Sequence, residues 1–244
     1  MKILISGHTG QVAQALQHAL ADHQLLSLGR QAFDLEQPAS LRETVLRERP
    51  QLLINAAAYT AVDLAEQEPE RAFAVNAEAP GAMAKACAEL GIPLIHYSTD
   101  YVFDGSKNGA YHEDDASNPL GVYGASKLAG EQAVAASGCE HLILRTSWVY
   151  SRHGRNFLLT MQRLLQEREE LKVVDDQIGA WSPLGQWPIS RHSPCSVRHA
   201  VEGSSKVSFT IGFEAAFEGF VPLYWQQVPP EVIERLCNSH DEHN

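Results

Sequence analysis

A tyrosine and a lysine stand four residues apart in the segment Val-Tyr-Gly-Ala-Ser-Lys at residues 122–127. On a helix, positions i and i+4 share one face, so this spacing predicts that the Lys127 ammonium lies near the Tyr123 phenol. A tyrosine with an ordinary pKa of about 10 keeps its proton at neutral pH and can deliver it to an alkoxide that forms as hydride arrives. A nearby cation stabilises the tyrosinate left behind. The same spacing occurs by chance in many helices, so the surrounding elements must indicate whether this pair is catalytic.

A third group for the same chemistry stands in the segment Tyr-Ser-Thr-Asp-Tyr at residues 97–101, directly after an apolar run. The hydroxyl of Thr99 can hydrogen-bond a substrate carbonyl and fix it in line for hydride transfer. We therefore predict a catalytic set of Thr99, Tyr123 and Lys127, with Tyr123 as the proton donor. Asp100 and Tyr101 are expected at the mouth of the same cleft.

Short apolar runs alternate along the chain with longer amphipathic ones, which is typical of alternating strands and helices. The apolar runs predict strands at residues 2–7, 24–29, 51–58, 92–99, 141–150 and 171–177. Strands that are apolar throughout and separated by helices imply a parallel sheet covered on both faces. The predicted fold is therefore α/β, a Rossmann-like doubly wound parallel sheet. Ligands of such sheets bind at the carboxyl ends of the strands.

The end of the first predicted strand carries the segment Ser-Gly-His-Thr-Gly-Gln-Val-Ala at residues 6–13. Its glycines, Gly7 and Gly10, let the backbone approach a pyrophosphate, and the helix that follows offers free N–H groups and a positive dipole end. Ala13 stands at the position that packs helix on strand. A glycine pair alone is weak evidence, because most such pairs are ordinary turns. With a strand before it and an amphipathic helix behind it, this one predicts a dinucleotide site.

The ends of the second and third predicted strands bear on the identity of the dinucleotide. Arg30 follows the second strand, where an acidic residue would select NAD and an arginine accommodates the 2′-phosphate of NADP. We predict NADPH, with Asp34 and Leu35 placed to touch the adenine; a solvated loop arginine is the alternative. The small residues of Asn-Ala-Ala-Ala-Tyr-Thr, 55–60, either let a flat cofactor lie against the backbone or are simple packing.

Composition excludes several classes of partner. The formal net charge of −11 argues against nucleic acid and anionic membrane surfaces, which require clustered Lys and Arg. No apolar run approaches the roughly 20 residues of a membrane-spanning helix, and the amino terminus does not read as a signal peptide, so we expect a cytoplasmic protein. The four cysteines have neither zinc-site nor disulfide spacing, and no metal is predicted.

In this order, the glycine turn, the strand-end threonine and Tyr-x-x-x-Lys resemble the extended short-chain dehydrogenase/reductases. More narrowly, the chain is similar to the dTDP-4-dehydrorhamnose reductase family from residue 1 to about residue 180. The segments that carry this similarity are GHTGQVA, NAAAYTAVDLAEQEPERAFAVNAEAP, IHYSTDYVFDG, YGASKLAGE, RTSWVY and NFLLTM.

The resemblance implies reduction of the 4-keto group of dTDP-4-dehydro-6-deoxy-L-mannose by NADPH, or by NADH. The product is dTDP-L-rhamnose for cell-surface polysaccharide such as lipopolysaccharide O-antigen. By position, it implies these cofactor contacts: Gly7, Gly10, Gln11, Val12, Arg30, Asp34, Leu35, Ala58, Tyr59, Thr60, Tyr123 and Lys127. On the sugar side it implies Thr99, Asp100, Tyr101 and Trp148, whose indole can pack against a pyranose ring.

The composition changes abruptly after Ala180. Residues 181–244 hold three of the four Trp and six of the twelve Pro, with little helical period before Pro229. We therefore divide the chain into a cofactor-binding and catalytic domain, residues 1–180, and a truncated or aberrant substrate lobe, residues 181–244. One hypothesis is a change of reading frame in the gene; the alternative is a divergent but functional second lobe.

Three functions stay open from the sequence. The leading one is the nucleotide-sugar 4-ketoreductase, with a small-molecule nucleotide sugar as its partner and a homodimer as an option. If the second lobe is missing, binding energy from the remote nucleotide is lost and turnover is weak or absent. The others are a non-catalytic NADP-binding regulatory subunit, and a reductase for a related deoxysugar.

Overall fold

The computed structural model describes residues 1–151, 154, 156–167 and 182–184. The chain divides into two compact units, Met1–Ser147 and Trp148–Asn244. The domain boundary predicted at residue 180 falls outside the described residues and stays a prediction. In the first unit the strands are β1 (Lys2–Ser6), β2 (Gln24–Leu28), β3 (Leu52–Asn55), β4 (Leu94–Thr99) and β5 (His141–Thr146). Its helices are α1 (Gln11–Ala19), α2 (Pro38–Glu48), α3 (Val62–Ala65), α4 (Pro69–Phe73), α5 (Ala79–Leu90) and α6 (Val122–Ala135).

The five strands form one parallel sheet in the order β2-β1-β3-β4-β5. Its central strands are buried because both faces are covered: Leu4, Leu53 and Leu94 are fully buried or nearly so. Right-handed crossovers place the helices before and after β2 on opposite faces, since the chain reverses direction across the sheet there. The predicted doubly wound parallel fold is confirmed. Strand order reverses between β1 and β3, and ligands bind at that switch point in open sheets of this kind.

Residues 69–90, between β3 and β4, form one interrupted helix. A π-helical turn, Ala74–Glu78, joins α4 to α5. Pro80 lies in the first turn of α5, where its ring removes an N–H and crowds the carbonyl four residues earlier, that of Asn76. The wider turn takes up this conflict, and such turns are frequent at functional sites.

The predicted strand at residues 141–150 is wrong as a single element. β5 ends at Thr146, and Val149–Tyr150 form a separate short strand, β6, in the second unit. Trp148 between them has φ of 45°, a left-handed conformation that interrupts an extended strand. β6 pairs in parallel with β7 (Ser182–Pro183), and the helix α7 (Phe157–Glu167) also belongs to this unit.

Two further expectations concern the rest of the chain. The predicted strand at residues 171–177 lies outside the described residues. Across the part of the chain that the structure describes, no helix is long and apolar enough to cross a membrane. Of the four cysteines, Cys87 and Cys139 are described, and both are buried free thiols.

Candidate active site

The turn between β1 and α1 has the shape that the glycine motif predicts. Gly7 has φ of +107°, which L side chains rarely adopt, and a Cβ there would lie 3.4 Å from the Cβ of Ala13. Gly10 caps α1 without a side-chain hydrogen bond, and nothing lies within 4 Å of where its Cβ would be. Gln11 and Val12 form the first helical turn behind it. An open space before a helix N-terminus fits a dinucleotide pyrophosphate.

A cavity of about 200 Å³ lies beside this turn, at the carboxyl ends of β2 and β3. Of the residues predicted to contact cofactor, it is lined by Gly7, Arg30, Asp34, Leu35, Ala58 and Tyr59. Thr60 is exposed and is not part of its wall. The cavity has the position and the mixed lining expected for the adenosine half of a dinucleotide.

Five further residues that the sequence did not single out line the same cavity: Leu28, Phe33, Glu36, Arg71 and Val75. Two of them carry charge. Arg71 comes from α4, far along the chain from Glu36, and its Nε lies 2.9 Å from a Glu36 carboxylate oxygen. No local sequence pattern predicts a contact between residues so far apart in the chain, so it is found only in the folded structure.

Helix α6 begins at the same edge of the sheet and carries both Tyr123 and Lys127, the predicted catalytic residues. Tyr123 lies beside Thr99, whose hydroxyl accepts from the backbone N–H of Tyr101 at 3.2 Å. Burial raises the pKa of Tyr123, and the neighbouring Thr99 hydroxyl opposes that rise without reversing it. Tyr123 therefore holds its proton at neutral pH, as a proton donor must.

Lys127 is almost completely buried on the same helix. Its ammonium donates to the backbone carbonyl of Tyr97 at 2.6 Å rather than to the phenol of Tyr123. Burial lowers the pKa of Lys127 to about 8, and the nearby Glu131 works in the opposite direction. Lys127 is not among the causes of the shift in the pKa of Tyr123, so the expected depression of that pKa by the ammonium is not observed.

The mouth of the cleft is formed by the short 3-10 turn Asp100–Val102 after β4. The Thr99 hydroxyl donates to Asp100 at 3.2 Å, and the ring of Tyr101 packs edge-on against Tyr123 with centroids 5.5 Å apart. Tyr101 is 44% exposed, which leaves its outer face free for a ligand. Trp148 belongs to the second unit, where its ring packs edge-on against Phe157, and its contact with the sugar stays a prediction.

Asn76 is a buried residue that the sequence analysis missed. Its amide bonds the backbone N–H and carbonyl of Tyr59 at 2.9 and 3.0 Å, and donates to the Ser126 hydroxyl at 3.0 Å. Ser126 in turn donates to the carbonyl of Tyr123 at 2.7 Å. One side chain thus connects a predicted cofactor segment to the catalytic helix. The signal for it is an asparagine in an alanine-rich helix, four residues before Pro80.

The start of α6 is also held from elsewhere in the chain. Gly121 caps the helix without a side chain, and the Glu66 carboxylate accepts the N–H of Val122 at 2.7 Å instead. A Cβ on Gly121 would lie 2.8 Å from that same carboxylate oxygen. An anion at a helix N-terminus is favoured by the free N–H groups and the dipole. Glu66 therefore fixes the turn that presents Tyr123.

A largely buried ion pair involves Glu131, which lies one turn beyond Lys127 on α6. Glu131 accepts from the Ser98 hydroxyl at 2.5 Å and from the Arg145 guanidinium at 2.7 Å. These contacts tie α6 to the ends of β4 and β5. Among the described residues no group of His, Cys, Asp and Glu has the arrangement of a metal site.

Comparison with known proteins identifies relatives of this chain. The family model described as "RmlD substrate binding domain" matches residues 1–183. A dTDP-4-dehydrorhamnose reductase of Sinorhizobium fredii is 50% identical over 180 residues, which are 73% of this chain and 61% of that protein. The crystal structure of dTDP-4-dehydrorhamnose reductase from Bacillus anthracis in complex with NADP superposes with a TM-score of 0.72 at 38% identity, covering 75% of this chain and 66% of that one.

The chain spans about three fifths of the length of the Sinorhizobium protein. A dTDP-4-dehydrorhamnose reductase of Burkholderia thailandensis is 42% identical over 250 residues, covering 97% of this chain and 83% of that protein. That alignment extends past residue 183 into the segment of altered composition. Such an extension is what a divergent second lobe predicts.

Proposed function

The chain belongs to the RmlD substrate binding domain family, and from that premise we propose that it reduces the 4-keto group of dTDP-4-dehydro-6-deoxy-L-mannose to give dTDP-L-rhamnose. NADPH, when bound, supplies the hydride to the carbonyl carbon, and NADH is the second choice. The observation that carries the proposal is that Tyr123, whose pKa burial raises, lies beside Thr99 at the sheet edge that also holds the Gly7 turn. The relative from Bacillus anthracis, solved with NADP, supports the choice of cofactor.

The chain's own residues supply the rest of the chemistry. The Tyr123 proton goes to the carbonyl oxygen as that oxygen gains charge, which completes the hydroxyl and leaves a tyrosinate. The Thr99 hydroxyl hydrogen-bonds the same oxygen and orients it. Lys127, held by the Tyr97 carbonyl, provides a buried positive charge one helical turn from the tyrosinate. Asp100 and Tyr101 line the side on which the sugar enters.

The alternatives have less support. A non-catalytic NADP-binding subunit has no use for a half-buried tyrosine beside a threonine at this edge of the sheet, and nothing in the comparisons favours it. An inactive product of a shifted reading frame and a reductase for a related deoxysugar both depend on residues 181–244, most of which lie outside the described part of the chain. Translating the other two frames of the coding DNA beyond residue 180 tests the first of these directly.

The test of the proposal is NADPH consumption with dTDP-4-dehydrorhamnose by the wild type and by Tyr123→Phe. We expect a loss of about a hundredfold or more in kcat for Tyr123→Phe, with NADPH binding retained, because only the proton donor is removed. Tyr111→Phe is the matched control, since its hydroxyl bonds Asp104 in the loop before α6. Equal rates for wild type and Tyr123→Phe would remove Tyr123 from this role.

Several narrower statements stay proposals. The cytoplasmic location, the homodimer and the place in O-antigen synthesis rest on the sequence and its resemblance. The same holds for binding of the dTDP group by the second lobe.

A further inference from the structure

The charged wall of the adenosine cavity contains two arginines that share one carboxylate. Arg30, from the turn after β2, places its Nη2 2.5 Å from Glu36 Oε1. Arg71, from α4, places its Nε 2.9 Å from the same oxygen. Glu36 is thus the bridge between two guanidinium groups that line one cavity.

The two arginines differ in how firmly they are held. Arg71 also donates to Glu68 at 3.1 Å and lies over the Tyr59 ring, 5.6 Å from its centroid. The side chain of Arg30 is 64% exposed, and within the described part of the chain its one other charged partner is Asp34, at 3.8 Å. Arg30 is therefore the arginine that is available to bind a ligand, and a ligand that binds it must displace its contact with Glu36.

The charges at this end of the cavity do not make a ready anion site. The two arginines face three carboxylates, those of Asp34, Glu36 and Glu68. A 2′-phosphate that approaches Arg30 meets the negative charge of Glu36 on the same guanidinium. A ribose 2′-hydroxyl meets no such opposition, because a carboxylate oxygen accepts its hydrogen bond.

We propose that Glu36 sets the discrimination between NADPH and NADH, by accepting the ribose 2′-hydroxyl of NADH and by competing with the 2′-phosphate of NADPH for Arg30 and Arg71. This inference rests on the proposed function, because it concerns the cofactor of that same site. It changes the role of Arg30. The arginine alone predicts NADPH, whereas the arginine already paired to Glu36 predicts acceptance of both cofactors.

The test measures binding, so that it does not depend on turnover. Dissociation constants are measured for NADPH, NADH, 2′,5′-ADP and ADP, the last two being probes that lack the nicotinamide. For Glu36→Gln we expect the preference for NADPH over NADH, and for 2′,5′-ADP over ADP, to rise by about tenfold. The reason is that the negative charge paired with both arginines is removed. The matched control is Glu89→Gln, which removes the partner of Arg42 from an ion pair of 2.6 Å between α2 and α5.

A second variant covers the case in which Glu36→Gln does not fold. Arg30→Ala alters a largely exposed side chain and should leave the wild-type preference within about threefold, because Glu36 already neutralises that arginine. In the double variant Glu36→Gln, Arg30→Ala, most of the gained preference should disappear.

The outcomes separate this inference from the proposed function. An unchanged preference in Glu36→Gln, an equal change in Glu89→Gln, or a large loss of NADPH preference in Arg30→Ala overturns the role of Glu36 while the proposed function stands. If the wild type binds none of the four nucleotides, the proposed function fails first.

Discussion

At the adenosine end of the cleft the charged side chains are partly exposed and bonded to one another, whereas at the catalytic end the Lys127 ammonium is buried and bonded to a backbone carbonyl. Arg30 and Glu36 illustrate the first end, with 64% and 31% of their side chains exposed. Lys127, with 2% exposed and its ammonium on a backbone carbonyl, illustrates the second. Exposed pairs can exchange partners at little cost, but a buried charge cannot. Ligand choice is therefore adjustable at one end, and the geometry is fixed at the other.

The strongest challenge to this contrast is removal of the buried charge. Lys127→Met should reduce kcat by about a hundredfold or more, because the tyrosinate formed during reduction loses its only near cation on α6. Steady-state rates with NADPH and the dTDP-sugar measure this. Lys85→Met, on the exposed side of α5, is the control and should retain the wild-type rate. A Lys127→Met enzyme with near-normal kcat would contradict the role of the buried ammonium.

A glycine at each end of the cleft should respond differently to an added methyl group. A Cβ on Gly130 would lie 2.0 Å from the carbonyl oxygen of Asn76, so Gly130→Ala should lower the free energy of unfolding by about 3 kcal/mol. Gly10→Ala meets no atom within 4 Å and should leave that free energy nearly unchanged while it weakens binding of NADPH. Urea denaturation and nucleotide titration of both variants give the two readouts. Equal stability of both variants would remove the contrast between the ends.

The buried lysine also predicts a pH dependence of stability. Burial lowers the pKa of Lys127 to about 8 in the folded chain from its ordinary value of 10.5, so the unfolded chain binds more protons between these two pH values. The contribution of this group is therefore most unfavourable below about pH 8, and stability should rise with pH up to about 10.5. Urea denaturation at pH 8, 9 and 10 measures the slope. The Lys127→Met variant should lack this rise; an identical slope in both proteins would contradict it.

A smaller effect is expected where an exposed side chain supports the buried end. Glu66→Gln weakens the charged acceptor of the Val122 N–H, which should lower kcat about two- to fivefold with little change in NADPH binding. Glu70→Gln, also exposed and on α4, is the control. A change confined to the dissociation constant of NADPH would show that Glu66 does not act through α6.

The sequence predicted the parts that depend on local pattern. Apolar runs predicted all five strands of the sheet, and the glycine turn was recognised because its residues are neighbours in the chain. Contacts across long separations were not predictable in this way: Glu66 meets Val122, and Arg71 meets Glu36, only because the fold brings α3 and α4 to other elements. The break at Trp148 was not predictable from the sequence because an apolar run continues across it. The roles assigned to the individual site residues remain predictions.

The approach of Gly124 and Gly130 to the carbonyls of Tyr101 and Asn76 has a consequence for how this protein can diversify. Any side chain at either glycine would collide with backbone, at 2.2 and 2.0 Å, so the seam between α6 and its neighbours admits no growth. Changes in substrate range at this end of the cleft are therefore expected at exposed side chains outside that seam, such as the Tyr101 ring, which is 44% exposed.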